Sequence, residues 1–432
     1  MERRATRQPG TRFAIAAVML ILILTGWPRP ADAYSVLSHE ANVDALWDSS
    51  IKPLLHQRFP RATADEIQHA RAFAYGGSVI QDLGYYPFGN HFFSNLVHYV
   101  RSGDFVEALI HDAADLDEYA FALGALAHYA ADNLGHPVAV NRAVPMMYPK
   151  LKQKYGDDVT YAESPASHIL VEFSFDVLQV AAGSYAPEAY HDFIGFEVSK
   201  PLLERAFLET YGLKMQDVFF DEDLTIGTYR YAVSQAIPHM TDVAWREKHD
   251  AIDKAAPGAQ RQQFVFNLTR QEYEKTFGAR YKRPTLIIRI LAFLYRLVPR
   301  IGPFRVLSFK SPTPEAEKLF LDSFQQTRDR FRQSLDSLRA GHLTLPNTDF
   351  DTGKPTRRGE YGLADDTYDE LLDKLAGRAF ADVPDTLRAN MIRYYEVPAR
   401  TPPRARKERK RAERTGRETT ALSAASATSS PR

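Results

Sequence analysis

One apolar helical stretch carries metal-ligating side chains on a single face. The run FALGALAHYAADNLGH, residues 121–136, has the apolar periodicity of a helix, and His128, Asp132 and His136 lie at i, i+4 and i+8 within it. Because residues four apart share a helix face, the two imidazoles and the carboxylate point toward one pocket. Charged groups placed among apolar neighbours need a partner, and a metal ion is one such partner.

A second run repeats this arrangement. In SHILVEFSFD, His168 and Glu172 lie at i and i+4, and zinc accepts both imidazole nitrogen and carboxylate oxygen. Each pair alone is also compatible with a solvated ion pair on a helix surface. The apolar residues around both pairs weigh against that interpretation. Together with the earlier Asp82, the two runs indicate a multinuclear zinc site, and therefore an enzyme.

Composition limits the other possibilities. A chain of 432 residues with 44% apolar content buries one large or two ordinary cores. Lys and Arg balance Asp and Glu at 54 each, so there is no global attraction to nucleic acid. The absence of cysteine excludes disulfides and thiolate ligands.

The first 33 residues have the pattern of a secretory signal peptide. The first twelve residues contain four arginines, and the apolar run 13–24 follows. Ala31-Asp32-Ala33 then forms an A-x-A cleavage signal. We expect the mature chain to begin at Tyr34 and to be exported, to the periplasm or outside the cell. An uncleaved N-terminal anchor is the alternative.

The rest of the chain predicts an all-α fold, because helical periodicity continues without sustained period-two alternation. We expect a catalytic domain over 34–199, a helical C-terminal region over 200–400 and a disordered basic tail over 401–432. Thr63 and Glu66 form a capping box that opens a helix predicted to stop at Gly76-Gly77.

The order of these residues resembles that of the zinc-dependent phospholipase C family over roughly 34–176. His39 lies five residues after Tyr34, Asp82 precedes a histidine–aromatic pair in NHFF, and the two helical runs follow. The resemblance implies an all-helical domain that holds three zinc ions. It also implies that the mature N-terminal residue is a ligand through its amino group and carbonyl.

Carried over from the family, the ligands fall into three groups: Asp82, His91, His128 and Asp132; Tyr34, His39 and Asp132; and His136, His168 and Glu172. The chain departs from the family in having Tyr rather than Trp at its mature start, and in its short spacings from Asp82 to His91 and from Asp132 to His136. Since His98 lies seven residues after His91 on one predicted helix, it is a rival ligand. The aromatic residue after His91 favours His91.

The chemistry of such a site is phosphodiester cleavage, with Asp82 as the base that orients or deprotonates water by analogy with the family. We expect a phospholipid substrate. Segment 284–310 interleaves arginines with apolar residues, which indicates contact with an anionic membrane or else a buried helical hairpin. Aromatic residues near Asp82 are candidates for a substrate pocket or plain core: Tyr85, Tyr86, Phe88, Phe92 and Phe93.

Two other functions stay open. The trinuclear zinc single-strand nucleases have a similar ligand order, although they usually end in HxxxD where this chain has Glu172, and no strongly basic groove is evident for a phosphate backbone. We therefore expect no nucleic-acid partner. The other alternative is a non-enzymatic exported protein that zinc stabilises. Headgroup preference and oligomeric state are not indicated.

Overall fold

The protein is seen in a computed structural model that describes residues 36–86, 88–181, 197–231, 233, 310–397 and 406–428. Within these ranges the chain is almost wholly helical, so the all-α prediction is confirmed. Segment 284–309 and Tyr34 lie outside the described residues. None of the described helices has the length and apolar character to cross a membrane.

The helices of the N-terminal half follow one another with short connections. They are α1 (Val36–Leu46), α2 (Lys52–Arg58), α3 (Ala64–Val79), α4 (His91–Tyr99), α5 (Ser102–Asp112), α6 (Leu116–Leu134), α7 (Asn141–Met147), α8 (Pro149–Tyr155) and α9 (Pro165–Ala181). A 3₁₀ helix, Ile80–Tyr85, follows α3, and π-helical turns follow α1 (Trp47–Ile51) and α6 (Gly135–Val140).

The C-terminal half continues in the same style with one exception. Its helices are α10 (Lys200–Tyr211), α11 (Glu222–Tyr231), α12 (Pro314–Arg339), α13 (Gly362–Gly377), α14 (Asp385–Glu396) and α15 (Arg406–Thr428), with a 3₁₀ turn at Met215–Asp217. The exception is an antiparallel hairpin of two short strands, β1 (Thr348–Asp349) and β2 (Lys354–Pro355). Gly353 in its turn has a φ of +66°, a left-handed conformation that glycine adopts without strain.

Among the described helices, α3 and α6 share the most extensive contact, and glycine makes it possible. A Cβ atom on Gly77 would lie 1.8 Å from the carbonyl oxygen of Phe121, and one on Gly124 would lie 2.0 Å from that of Ala74. Neither distance is tolerable for a real side chain, so the two backbones touch only because both positions lack one. α6, the helix with His128 and Asp132, is thereby fully buried along most of its length.

Helix α3 begins as predicted and ends later. Thr63 accepts a hydrogen bond from the backbone N–H of Glu66, and the Glu66 carboxylate accepts one from the N–H of Thr63, which completes the capping box. The predicted stop at Gly76-Gly77 is wrong, because the helix runs to Val79. The glycines are there for close packing against other backbone, and burial outweighs their low helix propensity.

Both halves of the chain contribute to one core. Tyr211 of α10 donates to the carbonyl of Val100 at 2.8 Å, and the ring of Phe320 on α12 stacks on that of Phe175 on α9, with centroids 4.7 Å apart. The division into a catalytic domain that ends at residue 199 and a C-terminal region that begins at residue 200 stays a prediction.

The predicted disordered tail differs from the structure over Arg406–Thr428, which is helical and contacts α13 and α14. Leu422 is fully buried, and Arg388 donates to its carbonyl at 2.9 Å. The stretch is rich in the strong helix formers Ala, Arg, Lys and Glu, which favour a helix although apolar residues are few. One buried leucine and a bonded carbonyl are enough to seat such a helix on its neighbours.

We expect Gly77→Ala to destabilise the protein by about 3 kcal/mol, because its Cβ meets a backbone oxygen that cannot swing aside. The measurement is the free energy of unfolding in denaturant. Gly362→Ala is the matched control, since a Cβ there meets nothing within 4 Å. Equal effects at the two positions would contradict the close contact of α3 and α6.

Candidate metal centre

The described ligand candidates come from separate elements and meet in one buried cluster. They are His39 from α1, Asp82 from the 3₁₀ helix, His98 from α4, His128 and Asp132 from α6, His136 from the π-helical turn after α6, and His168 and Glu172 from α9. None of these residues is more than 3% exposed. Side chains of this polarity are rarely buried together unless something compensates their charge.

Their donor atoms form three compact groups, each with all its atoms within 4.8 Å of one another. The groups are His39, His128 and Asp132; Asp82, His98 and His128; and His136, His168 and Glu172. Imidazole nitrogen and carboxylate oxygen in such numbers are the donor set of zinc.

The spacing within the cluster is that of a metal's coordination shell. With zinc bonds of about 2.0–2.1 Å, two ligand atoms at the corners of a tetrahedron lie roughly 3.4 Å apart. His98 Nε2 is 3.4 Å from Asp82 Oδ1, 3.4 Å from His128 Nε2 and 3.3 Å from Asp132 Oδ2. The residues present therefore fit a zinc ion between them.

Asp132 faces two groups with different oxygens. Its Oδ1 lies 3.5 Å from Nε2 of His39, while its Oδ2 lies 3.1 Å from Nε2 of His128 and 3.3 Å from Nε2 of His98. A carboxylate in this position can bridge two cations, which is the role that the family resemblance implies for it. Neither oxygen has a hydrogen bond among the described residues, nor does either oxygen of Asp82.

Backbone carbonyls fix which nitrogen of each ring faces the cluster. His98 Nδ1 donates to the carbonyl of Ser94 at 2.7 Å, His128 Nδ1 to that of Ser78 at 2.9 Å, and His168 Nε2 to that of Val159 at 2.5 Å. The opposite nitrogen of each ring is then the one aimed into the cluster. Metal-binding histidines usually have such a partner, which orients the ring.

Burial sets the protonation of the outer histidines. It lowers the pKa of His39 to about 4 and that of His168 also to about 4. Both rings are therefore neutral near pH 7 and able to bind a cation.

The pKa values of His98 and Glu172 are raised instead. Burial lowers the pKa of His98, but the carboxylates of Asp132 and Asp82 beside its Nε2 outweigh burial and raise that pKa to about 10. His98 therefore keeps a proton that partly neutralises the carboxylates, and a cation that binds its Nε2 must displace this proton. Burial, followed by repulsion from Asp132 and Asp82, raises the pKa of Glu172 well above its usual value. A divalent cation bound among these groups would take over the charge compensation that the retained protons provide.

The structure brings His98 into the cluster and leaves His91 outside. His98 contacts Asp82, His128 and Asp132, whereas the ring of His91 packs edge-on against Tyr85 with centroids 5.3 Å apart. The preference for His91 is therefore corrected. Both lie on α4, but His91 is the first residue of this helix, whereas His98 lies near its other end, beside the carboxylates.

A carboxylate that the sequence did not point to lies beside the third group. Oδ1 of Asp351, in the turn between β1 and β2, lies 3.4 Å from Nε2 of His136. Asp351 follows no helical spacing and lies in the region where no ligand cluster was noticed. Its only sequence signal is a TDFDTG turn, which is common in proteins without metals.

Of the aromatic residues near Asp82, one lies beside the metal-ligand cluster, and the others lie in the hydrophobic core or at the surface. Tyr85 lies 5.8 Å from the ring of His98. Phe92 and Phe93 belong to the main hydrophobic core, Tyr86 packs on Tyr229, and Phe88 is 42% exposed. The Tyr34 ligand stays a prediction.

Residues 40–220 match the family model described as zinc dependent phospholipase C. This region holds every clustered ligand candidate except His39, which directly precedes it, and Asp351. No curated protein and no solved structure matches the chain.

We expect His98→Ala to lose bound zinc and His91→Ala to retain it, because only His98 lies beside the two carboxylates. Elemental mass spectrometry of the two purified, folded variants gives the zinc content per chain. Loss of zinc from His91→Ala with none from His98→Ala would contradict the assignment.

Proposed function

We propose that this protein is an exported, zinc-dependent phospholipase C that hydrolyses glycerophospholipids to diacylglycerol and a phosphorylated headgroup. The observation that carries the proposal is the position of Asp132, whose two oxygens face two separate groups of inward-pointing imidazoles. The family assignment of residues 40–220 supports a phospholipase C-type hydrolase that uses zinc.

Zinc ions, when bound, neutralise phosphate oxygens, activate water near neutral pH and stabilise the leaving oxygen. The protein side chains provide the rest. In the overall reaction a water oxygen attacks phosphorus, the bond from phosphorus to the glycerol oxygen breaks, and that oxygen leaves as the hydroxyl of diacylglycerol.

Asp82 is the proposed base. Its Oδ1 faces Nε2 of His98 at 3.4 Å, which leaves Oδ2 as the atom that accepts a proton from the attacking water. Both oxygens are buried and lack hydrogen bonds among the described residues, so nothing in the described part of the chain competes for that proton.

Aromatic rings beside the ligands support a lipid over a nucleic acid. Tyr85 adjoins His98, and Tyr161 adjoins His168 with centroids 6.0 Å apart. A nuclease follows its phosphate backbone with lysine and arginine, whereas the neighbours named here are aromatic and acidic. Binding of segment 284–310 to an anionic membrane would bring the protein close to its phospholipid substrate.

We also propose that the protein is exported. Cleavage after Ala33 would leave Tyr34 two residues before α1, the helix that places His39 beside Asp132. The new amino group would then be available as the ligand that the family resemblance implies.

The substrate is tested by comparing hydrolysis of phosphatidylcholine vesicles with that of single-stranded DNA by the same preparation. We expect release of phosphocholine that a zinc chelator abolishes and added zinc restores. Cleavage of DNA without release of a headgroup would favour the nuclease, and neither activity in a zinc-loaded protein would favour a purely structural role for the metal.

We expect Asp82→Asn to lower turnover by about 100-fold or more with a smaller loss of zinc, because the amide keeps an oxygen but is not a base. Turnover on phosphatidylcholine and zinc content are measured on the same sample. Asp65→Asn, an exposed change on α3, is the control. Full activity of Asp82→Asn would exclude Asp82 as the base.

A further inference from the structure

The hairpin segment 345–361 of the C-terminal half lies directly on the metal centre. Phe350 donates its backbone N–H to the carbonyl of His98 at 3.2 Å, and its ring lies 5.1 Å from the His98 ring and 6.2 Å from that of His128. Phe350 is fully buried. The segment therefore forms one wall of the cluster.

Residues of α5 and α6 hold this wall in place. The hydroxyl of Ser102 donates to the carbonyl of Thr348 at 2.6 Å and accepts from its N–H at 3.1 Å. Tyr129, on the same helix as His128 and Asp132, donates to the carbonyl of Pro346 at 2.7 Å. A Cβ on Gly103 would lie 2.3 Å from the carbonyl oxygen of Leu345, so the backbones are in direct contact.

The backbone carbonyl and both carboxylate oxygens of Asp351 face specific partners. Its backbone carbonyl accepts from the amide of Asn141 at 2.7 Å. Its Oδ2 accepts from the hydroxyls of Tyr99, at 3.2 Å, and Tyr361. The remaining oxygen, Oδ1, faces Nε2 of His136, and the side chain is 1% exposed.

We propose that Asp351 is a fourth protein ligand of the metal held by His136, His168 and Glu172. This inference rests on the proposed function only in requiring that the centre binds zinc. Asp351 lies outside residues 40–220, which match the family, so the ligand comes from a part of the chain that the family assignment does not cover.

The geometry favours a ligand. The 3.4 Å between Oδ1 and His136 Nε2 equals the separation of His98 Nε2 from Asp82 Oδ1 in the neighbouring group, and it is roughly the edge of a zinc tetrahedron. The pair does not form a hydrogen bond of ordinary length. Three donor residues leave one corner of a tetrahedron to fill, and Oδ1 is the oxygen of Asp351 that no hydroxyl engages.

A site with four protein ligands is closed, so this metal would tie the hairpin to α9 and to the turn after α6. Catalysis would then depend on the groups around Asp132 and Asp82. Loading of this metal would order segment 345–361, and removal would loosen it.

The first test is Asp351→Asn in the purified protein, with Asp349→Asn as the control in the same hairpin. Asp349 is also buried, but its oxygens bond to Thr352. We expect Asp351→Asn to hold one zinc fewer than the wild type, and Asp349→Asn to hold the same number. Hydrogen exchange over 345–361 should quicken on metal removal in the wild type and be insensitive to metal in Asp351→Asn. Unchanged zinc content and affinity in Asp351→Asn would overturn the proposal.

The second test separates a ligand from a residue that only orients His136. Because the chain has no cysteine, Asp351→Cys introduces a single thiol. Loaded with cobalt(II), this variant should show a thiolate-to-cobalt charge-transfer band that Asp349→Cys lacks. A folded, cobalt-loaded Asp351→Cys without the band would overturn the ligand assignment.

These tests are distinguishable from failure of the proposed function. If the wild type binds no zinc, the enzyme proposal fails before any variant is compared. If the wild type binds zinc and hydrolyses phospholipid while Asp351→Asn keeps every ion, only the inference about Asp351 fails.

Discussion

The burial of several carboxylates against one another is the constraint on which this structure depends. Asp82, Asp132, Glu172 and Asp351 are all at most 2% exposed, and each would lose several kcal/mol of hydration if it were ionised without compensation. Imidazoles supply part of that compensation. Divalent cations would supply the rest, and the ligand spacings leave room for them at the positions where the charges converge.

Helix packing and metal geometry are linked through one backbone contact. The glycines that let α3 touch α6 lie beside Ser78, whose carbonyl accepts the hydrogen bond from Nδ1 of His128. The close approach of the helices therefore also orients a ligand. A change that separated them would alter the cluster as well as the core, which explains why small residues recur at this crossing.

Much of this could be predicted from sequence because helices repeat with a fixed period. The spacing of His128, Asp132 and His136, and of His168 and Glu172, follows from a face that must be buried, and the structure brings these residues together. The choice between His91 and His98 could not be made that way, because both satisfy the helical spacing. It depends on how α4 meets the 3₁₀ helix, which only the tertiary packing determines. Asp351 was missed for a related reason, since a turn residue from a distant segment has no periodicity.

Divalent cations are expected to bind where these carboxylates converge. The most direct measurement is the zinc content per chain, by elemental mass spectrometry, of purified wild-type protein dialysed against metal-free buffer. We expect about three zinc ions per chain, one for each buried group. A folded protein with a zinc content near zero would contradict this expectation.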